Sequence, residues 1–449
     1  MPELPSSQVL FGYARDLCAI GARRPGTPED DEAQAYLLER FEALGLENVR
    51  KEPVRFHLWE PAGRRLDVHT NDRGFDLDTE WLHLSAFTDA EGVHAELVDV
   101  GAGSPEAFQQ ADVRGKIVLA DITYGEMAYE QLKHLATFVH DPDDSLAGKG
   151  QPTTWLVQSQ DRILKLAEEN GAVGVVLAFP FAMRPFLFCR DADPMTGAFY
   201  NLPGLVLTKP EAKRLREMIR GRKSTATLVQ TGQVKPGLTY NIVGELPGQT
   251  DEVILIGSHH DSMWEGATED AVGCAAVLGL AGYFSQFPAS SLKRTLVFNL
   301  DAAEQIQVLG ARAFVEQHGD DLLSRLLVEV HVEHIAWEVL EDEAGQVRKT
   351  GELQARALFV ADDPRFRMLA KEMVEEHDLR RTVILPTDTP LGVPTDATSY
   401  DEAGYPVISL ISAPIYWNTD ADTLDKIPVE ETRRVTHALA DLVRRLDQL

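Results

Sequence analysis

Residues 253–273, VILIGSHHDSMWEGATEDAVG, carry the densest set of side chains that could do chemistry. The apolar residues 253–256 predict a buried strand, and the apolar run after Gly273 predicts a helix. Two imidazoles and three of the carboxylates between them are the candidates: His259, His260, Asp261, Glu269 and Asp270. Because open α/β sheets place their sites beyond the carboxyl ends of strands, this arrangement predicts a functional site.

Three later apolar runs also end in polar residues. Glu304 follows the second run, His334 follows the third, and Asp420 and Asp422 follow the last. Each residue alone is more simply explained by structure, but their placement after four separate strands favours a site. Imidazoles and carboxylates that converge in this way suit a zinc or iron ion with open coordination positions.

The elements that must position these residues alternate between strand and helix. Helices are predicted near 271–286, 308–318, 363–377 and 429–447, between the four apolar runs. This alternation predicts an α/β fold with a mainly parallel sheet covered on both faces. Residues 76–235 have shorter strands and helices with their own period and predict a smaller α/β insert. The larger domain would then be discontinuous, with residues 1–75 and 236–449.

Composition limits the classes of partner. The 449 residues carry a net charge of −28, from 71 acidic and 43 basic residues, which argues against nucleic acid or an anionic membrane. Cys18, Cys189 and Cys274 are too few for a disulfide framework and are expected to be buried thiols. With no leader-like start and no apolar run of about 18 residues, a cytoplasmic protein is expected. A homo-oligomer is left open.

The sequence resembles two known protein families. RGKIVL at 114–119 and GAVGVV at 171–176 resemble the two most recognisable strands of a protease-associated domain. Nearly the whole chain, through GSHHDS, GATEDAVG, LGARAFVE and DTLDKI, resembles the zinc aminopeptidase and glutamate carboxypeptidase family, which includes the catalytically silent transferrin receptor. The resemblance implies a zinc-exopeptidase fold and a hydrolytic site with two metal ions.

Three residues match the catalytic pattern of that family, and Glu269 keeps the charge at a fourth position with a side chain one methylene longer. His259 and Asp261 match its His-x-Asp motif, which also suits a metal ligand whose tautomer is fixed by a carboxylate behind it. Glu269 stands where an aspartate bridges the two metals, and Glu304 matches the general base.

Three positions depart from the pattern. Gln305 replaces a glutamate ligand, His334 replaces an aspartate ligand, and Asn418 replaces a late histidine. Amide oxygens bind transition metals weakly, and two dications about 4 Å apart need anionic compensation. One divalent metal is therefore expected, held by two histidines and one carboxylate: His259, Glu269 and His334.

This ligand set leaves three functions open. With zinc, the expected metal, Glu304 would take the proton of a water that attacks an amide, peptide or ester bond. With iron, the same ligands form the facial triad of oxygen-dependent enzymes. A silent binding protein of the same fold is the third alternative.

The substrate pocket is predicted from aromatic residues near the motifs. Trp264, Trp337 and Trp417 each flank a motif residue, and together they predict aromatic walls around Gln305 and Asn418. The expected partner is a small molecule or short peptide with an apolar or aromatic group.

Overall fold

The computed structural model describes residues 2–70, 73–152, 159–187 and 190–449. Within them the helices are α1 (Ser7–Ile20), α2 (Pro28–Ala43), α3 (Pro105–Gln110), α4 (Tyr129–Leu135), α5 (Ser159–Glu169), α6 (Lys209–Ile219), α7 (Val272–Phe284), α8 (Leu309–His318), α9 (Pro364–Glu376), α10 (Thr398–Glu402) and α11 (Val429–Asp447). The helix starts follow from local sequence. At α2, Thr27 accepts a hydrogen bond from the Asp30 amide and Pro28 occupies the first turn, as expected at helix N-termini.

The strands are β1 (Glu47–Thr70), β2 (Arg73–Leu77), β3 (Glu80–Trp81), β4 (Val93–Asp99), β5 (Ile117–Asp121), β6 (Glu126–Ala128), β7 (Phe138–His140), β8 (Gly150–Pro152), β9 (Gly174–Ala178), β10 (Gly204–Leu207), β11 (Ser224–Leu246), β12 (Val253–His259), β13 (Thr295–Asp301), β14 (Leu326–Val332), β15 (Trp337–Glu341), β16 (Val347–Leu353), β17 (Arg356–Val360), β18 (Thr382–Pro386) and β19 (Val407–Ser412). Most of them join one sheet in the order β3-β10-β9-β5-β4-β11-β13-β12-β14-β19-β17-β18-β7, with β1 and β2 attached through β11.

The centre of this sheet is parallel and is covered on both faces. Strands β13, β12, β14 and β19 pair in parallel. Ile254 and Ile256 pack on the side of α7 and α11, whereas Val253 and Leu255 pack on the opposite side with α8 and α10. The predicted α/β class with a mainly parallel, doubly covered sheet is confirmed.

A long antiparallel pair of strands links the two parts of the sheet. Strands β1 and β11 pair from Glu47 with Glu245 to Thr70 with Ser224, and β4, β5, β9 and β10 continue beyond them with their own apolar core. This pair of strands runs through both parts, so the predicted domain boundaries near residues 75 and 236 stay predictions. The identity of the insert as a protease-associated domain also stays a prediction.

Two of the three cysteines lie among the described residues. Cys18 and Cys274 are buried free thiols, and Cys189 lies outside the described residues. In the described ranges, no helix combines the length and apolar character needed to cross a membrane.

A buried arginine ties the amino-terminal helices to the strand ends. The Arg23 side chain is fully buried. Its guanidinium donates hydrogen bonds to five backbone carbonyls, those of Leu17, Gly21, His260, Glu265 and Gly266. The planar five-donor group of arginine suits this task, which lysine cannot reproduce. The segment after β12 therefore depends on a residue more than two hundred positions earlier.

Replacing Arg23 by methionine should destabilise the fold by about 3 kcal/mol or more, because several buried carbonyls would lose a charged donor. The free energy of unfolding from denaturant titration measures this change. Arg15→Met is the control, since Arg15 is exposed on α1 and its loss should change stability by less than about 0.5 kcal/mol. Equal effects of the two variants would contradict the structural role of Arg23.

Candidate metal centre

Three ligands from the ends of two strands, β12 and β14, meet around one point. His259 is the last residue of β12 and pairs with Asp301 of β13, while His334 follows β14 by two residues. His259 Nε2 lies 3.6 Å from Glu269 Oε1, and His334 Nε2 lies 2.5 Å from Glu269 Oε2. One ligand atom from each residue lies within 4.8 Å of the other two. The structure thus brings together the three ligands predicted from the sequence.

The atoms that face one another in this centre fit a cation. His259 Nε2, His334 Nε2 and Glu269 Oε2 are buried without a hydrogen-bond partner. Burying such atoms unsatisfied is costly, so native proteins rarely leave them so. Two imidazole nitrogens and a carboxylate are ligands of zinc and of iron, and a divalent ion would satisfy all three atoms at once.

Each imidazole has an oxygen beside its other nitrogen. His334 Nδ1 lies 2.8 Å from the Ser412 carbonyl oxygen, to which it donates. His259 Nδ1 lies 3.5 Å from Asp261 Oδ1. An oxygen behind the imidazole fixes the tautomer that leaves Nε2 for a metal.

Asp261 links this first histidine to the turn that carries the candidate base. Its carboxylate accepts hydrogen bonds from the backbone amides of Glu304 at 2.9 Å and Gln305 at 3.2 Å. Burial opposes ionisation of Asp261, but the bonds from His259 and from this turn outweigh it and lower its pKa. Asp261 is therefore a positioning residue, and its predicted place beside His259 agrees with the geometry.

A second carboxylate holds the segment that presents Glu269. Asp422 accepts hydrogen bonds from the amides of Thr268 at 2.9 Å and Glu269 at 3.0 Å. Burial raises the pKa of Asp422 to about 7. Gly266 permits the tight turn before these residues, since its φ is +60° and an added Cβ would lie 2.3 Å from the Glu269 carbonyl oxygen.

Gln305 faces two carboxylates of the centre. Its Nε2 donates hydrogen bonds to Glu269 Oε1 and to Glu304 Oε2. An amide oxygen in this place would repel both groups, so the donor nitrogen must point towards them. The donor hydrogens of the Gln305 amide thus compensate part of the negative charge of these two carboxylates, as a second cation would.

Glu304 lies on the wall of a cavity of about 340 Å³. His334 and Trp417 line the same cavity, and Arg190 and Arg312 add positive charge to its wall. Burial raises the pKa of Glu304 well above its ordinary value, although His259 offsets part of this effect. A nearby divalent cation favours the charged carboxylate, which a general base requires.

The other predicted pocket residues lie in different places. Trp264 lines a separate cavity of about 270 Å³ together with Trp59 and Trp81. Trp337 begins β15 in the two-stranded β15–β16 sheet. Asn418 is 4% exposed, and neither atom of its amide has a hydrogen-bond partner.

A second group of buried polar residues was not predicted from the sequence. Glu329, His331 and Glu333 occupy alternate positions in and just after β14 and are almost completely buried. Alternate residues of a strand share one face, so the pattern EVHVE could have indicated them. Asp396 is also fully buried, and no local pattern in its sequence indicates it.

Comparisons with known proteins agree with this geometry. Residues 241–443 match the model of Peptidase family M28. Carboxypeptidase Q of Rattus norvegicus is 27% identical over 321 residues, which are 69% of this chain and 61% of that protein. The probable leucine aminopeptidase 2 of Aspergillus fumigatus is 26% identical, over 62% of this chain and 48% of that protein.

Solved structures share the fold over almost the whole chain. A Peptidase M28 precursor from Shewanella amazonensis has a TM-score of 0.72 at 22% identity and covers 98% of this chain and 93% of its own. The zinc aminopeptidase of Bacillus subtilis has a TM-score of 0.69 at 18% identity, with 99% and 96% covered. The family resemblance predicted from the motifs is confirmed, since residues 241–443 match the model of Peptidase family M28 and the solved structures with this fold include a zinc aminopeptidase.

Proposed function

We propose that this chain is a metal-dependent hydrolase that cleaves an amide, peptide or ester bond in a short peptide or related small molecule. The observation that carries this proposal is the convergence of three buried ligand atoms, from His259, Glu269 and His334, of which His334 lines the same cavity as Glu304. The names of the relatives, a carboxypeptidase and an aminopeptidase, support peptide substrates. The alignment with carboxypeptidase Q spans 61% of that protein, so activity is a proposal for this chain.

His259, Glu269 and His334 would hold the metal. A zinc ion in this place would supply Lewis acidity for the attack of water on a carbonyl group. Glu304 would take the proton of the attacking water and deliver it to the leaving nitrogen or oxygen. Asp261 would keep the base in register with the metal, because it binds both His259 and the Glu304 amide.

The catalytic centre would use a single metal. The second metal position implied by the family would rest on Gln305 and Asn418, which are neutral amides. The hydrogen bond from Gln305 to Glu269 Oε1 supports this proposal, since it already occupies an oxygen of the carboxylate that would bridge to a second ion.

Trp417 supports a substrate with an apolar or aromatic group. Its ring lies 6.3 Å from the His334 ring, centroid to centroid, and it lines the Glu304 cavity. Its indole Nε1 has no hydrogen-bond partner and could donate to a substrate oxygen while the ring contacts the side chain.

Glu304→Gln should lower kcat by about 10²–10⁴-fold, because the amide cannot accept the proton from water. Hydrolysis of dipeptides with apolar residues, followed by release of free amino acid, measures the change. Metal content should stay that of the wild type, since Glu304 is not one of the three ligands. Glu402→Gln is the control, as Glu402 is an exposed residue at the same cavity. Full activity of Glu304→Gln would exclude it as the base.

His334→Ala should remove one equivalent of metal from the purified chain and abolish hydrolysis, because two ligands cannot hold the ion in a buried site. Elemental analysis of protein prepared without added metal, compared with the wild type, gives the difference and the metal's identity. Iron in the wild type with turnover that requires dioxygen would identify the facial-triad alternative. Unchanged metal content in the variant would refute the assigned ligands.

The double variant Gln305→Glu with Asn418→His should bind one equivalent of zinc more than the wild type. It restores an anionic and a basic ligand where the family has them, and the carboxylate compensates the added charge. Zinc titration followed by desalting and elemental analysis measures the gain. Gln307→Glu is the matched control, because it adds the same charge to the cavity without completing a ligand set. No gain in the double variant would contradict the explanation of the lost position.

A further inference from the structure

A second group of buried ligands lies beside the catalytic centre. One ligand atom from each of His331, Glu333 and Asp396 lies within 4.8 Å of the other two. We propose that these three residues bind a second divalent transition-metal ion, at a position distinct from the Gln305 and Asn418 position. This inference is independent of the proposed hydrolysis, because the site shares no ligand with the catalytic centre.

His331 has the orientation of a metal-binding histidine. Its Nδ1 lies 2.8 Å from Glu329 Oε1, and its Nε2 lies 2.7 Å from Glu333 Oε1. A carboxylate behind Nδ1 is the usual partner that directs Nε2 towards a metal. His334 is held in the same way by the Ser412 carbonyl.

Asp396 supplies the observation that points to a missing ligand. Its side chain is fully buried, and neither carboxylate oxygen has a hydrogen-bond partner. Its backbone amide donates to Glu333 Oε1 at 3.3 Å, which places the two carboxylates together. A buried carboxylate without donors is costly unless a cation or a proton compensates it.

The surroundings add more negative charge than His331 can compensate. Asp301 Oδ2 and Glu329 Oε2 are also buried without hydrogen-bond partners. Burial raises the pKa of Asp396 well above its ordinary value, and repulsion from Asp301 adds to this effect. A metal at the catalytic centre would bind Glu269 and none of these oxygens, so a second dication would compensate Asp396 where a proton would otherwise be needed.

The ligand set and its access indicate the kind of ion. One imidazole and two carboxylates favour Zn²⁺, Mn²⁺ or Fe²⁺ over Mg²⁺ or Ca²⁺, which take oxygen ligands. Glu333 and Thr395 line the 340 Å³ cavity together with Glu304, which gives an ion a route to the site. Glu333 Oε2 lies 3.8 Å from His334 Nε2, so the two sites are adjacent.

Zinc titration of metal-free chain tests the proposal. After desalting, elemental analysis should give two equivalents for the wild type and one for Asp396→Asn, which keeps the shape of the side chain but loses its charge. His334→Ala should also keep one equivalent, now at the second site. Asp388→Asn is the control, since Asp388 is exposed in the same segment and should keep two equivalents. One equivalent in the wild type would overturn the proposal and mean that protons compensate Asp396.

Anomalous diffraction from wild-type crystals grown with zinc provides a test that does not depend on the folding of a variant. Data collected above and below the zinc edge should give two peaks, one of them within about 2–2.3 Å of ligand atoms of His331, Glu333 and Asp396. A single peak at His259, Glu269 and His334 would refute the second site and leave the catalytic proposal intact. A peak at His331 alone would refute the catalytic ligands and support the second site.

Discussion

The structure depends on the compensation of carboxylates that are buried at the ends of parallel strands. Desolvation of an ion costs several kcal/mol unless opposite charge and hydrogen bonds replace the lost water. The backbone provides part of this compensation, as the amides that donate to Asp261 and Asp422 illustrate. Neither carboxylate oxygen of Asp396 has a protein donor, and Glu269 Oε2 faces only the imidazole nitrogen of His334. These oxygens are where the fold requires a cation or a proton.

Much of the fold was predictable because its signals are local. The apolar runs predicted β12, β13, β14 and β19, and helices predicted near 271–286 and 429–447 correspond to Val272–Phe284 and Val429–Asp447. Strand polarity then determined that His259, Glu304 and His334 would meet at one edge of the sheet. The long antiparallel pairing of β1 with β11 was not predicted, because it joins segments more than 150 residues apart in sequence. No local pattern records the register of such a pairing.

The environment of the site was harder to predict than its ligands. Trp264 and Trp337 lie near motif residues in sequence, yet they line another cavity and begin another sheet. A neighbour in sequence on a loop can point in any direction, whereas alternate residues of a strand must share a face. Asp396 enters the site from a loop between β18 and α10, so only the tertiary structure reveals its proximity to Glu333.

The departures from the family pattern are consistent with one another in charge. Relative to that pattern, His334 removes one negative charge and Gln305 removes another, while Glu269 and Asn418 leave the formal charge unchanged. The two negative charges that are removed equal in magnitude the charge of one divalent ion. A centre that lost one metal but kept all its carboxylates would leave two buried charges uncompensated, at a cost that marginal folding stability could not absorb. Gln305 supplies part of that compensation, because its amide donates to Glu269 and Glu304 directly. The substitutions therefore support the proposal of a mononuclear centre in which Glu304 remains as the base.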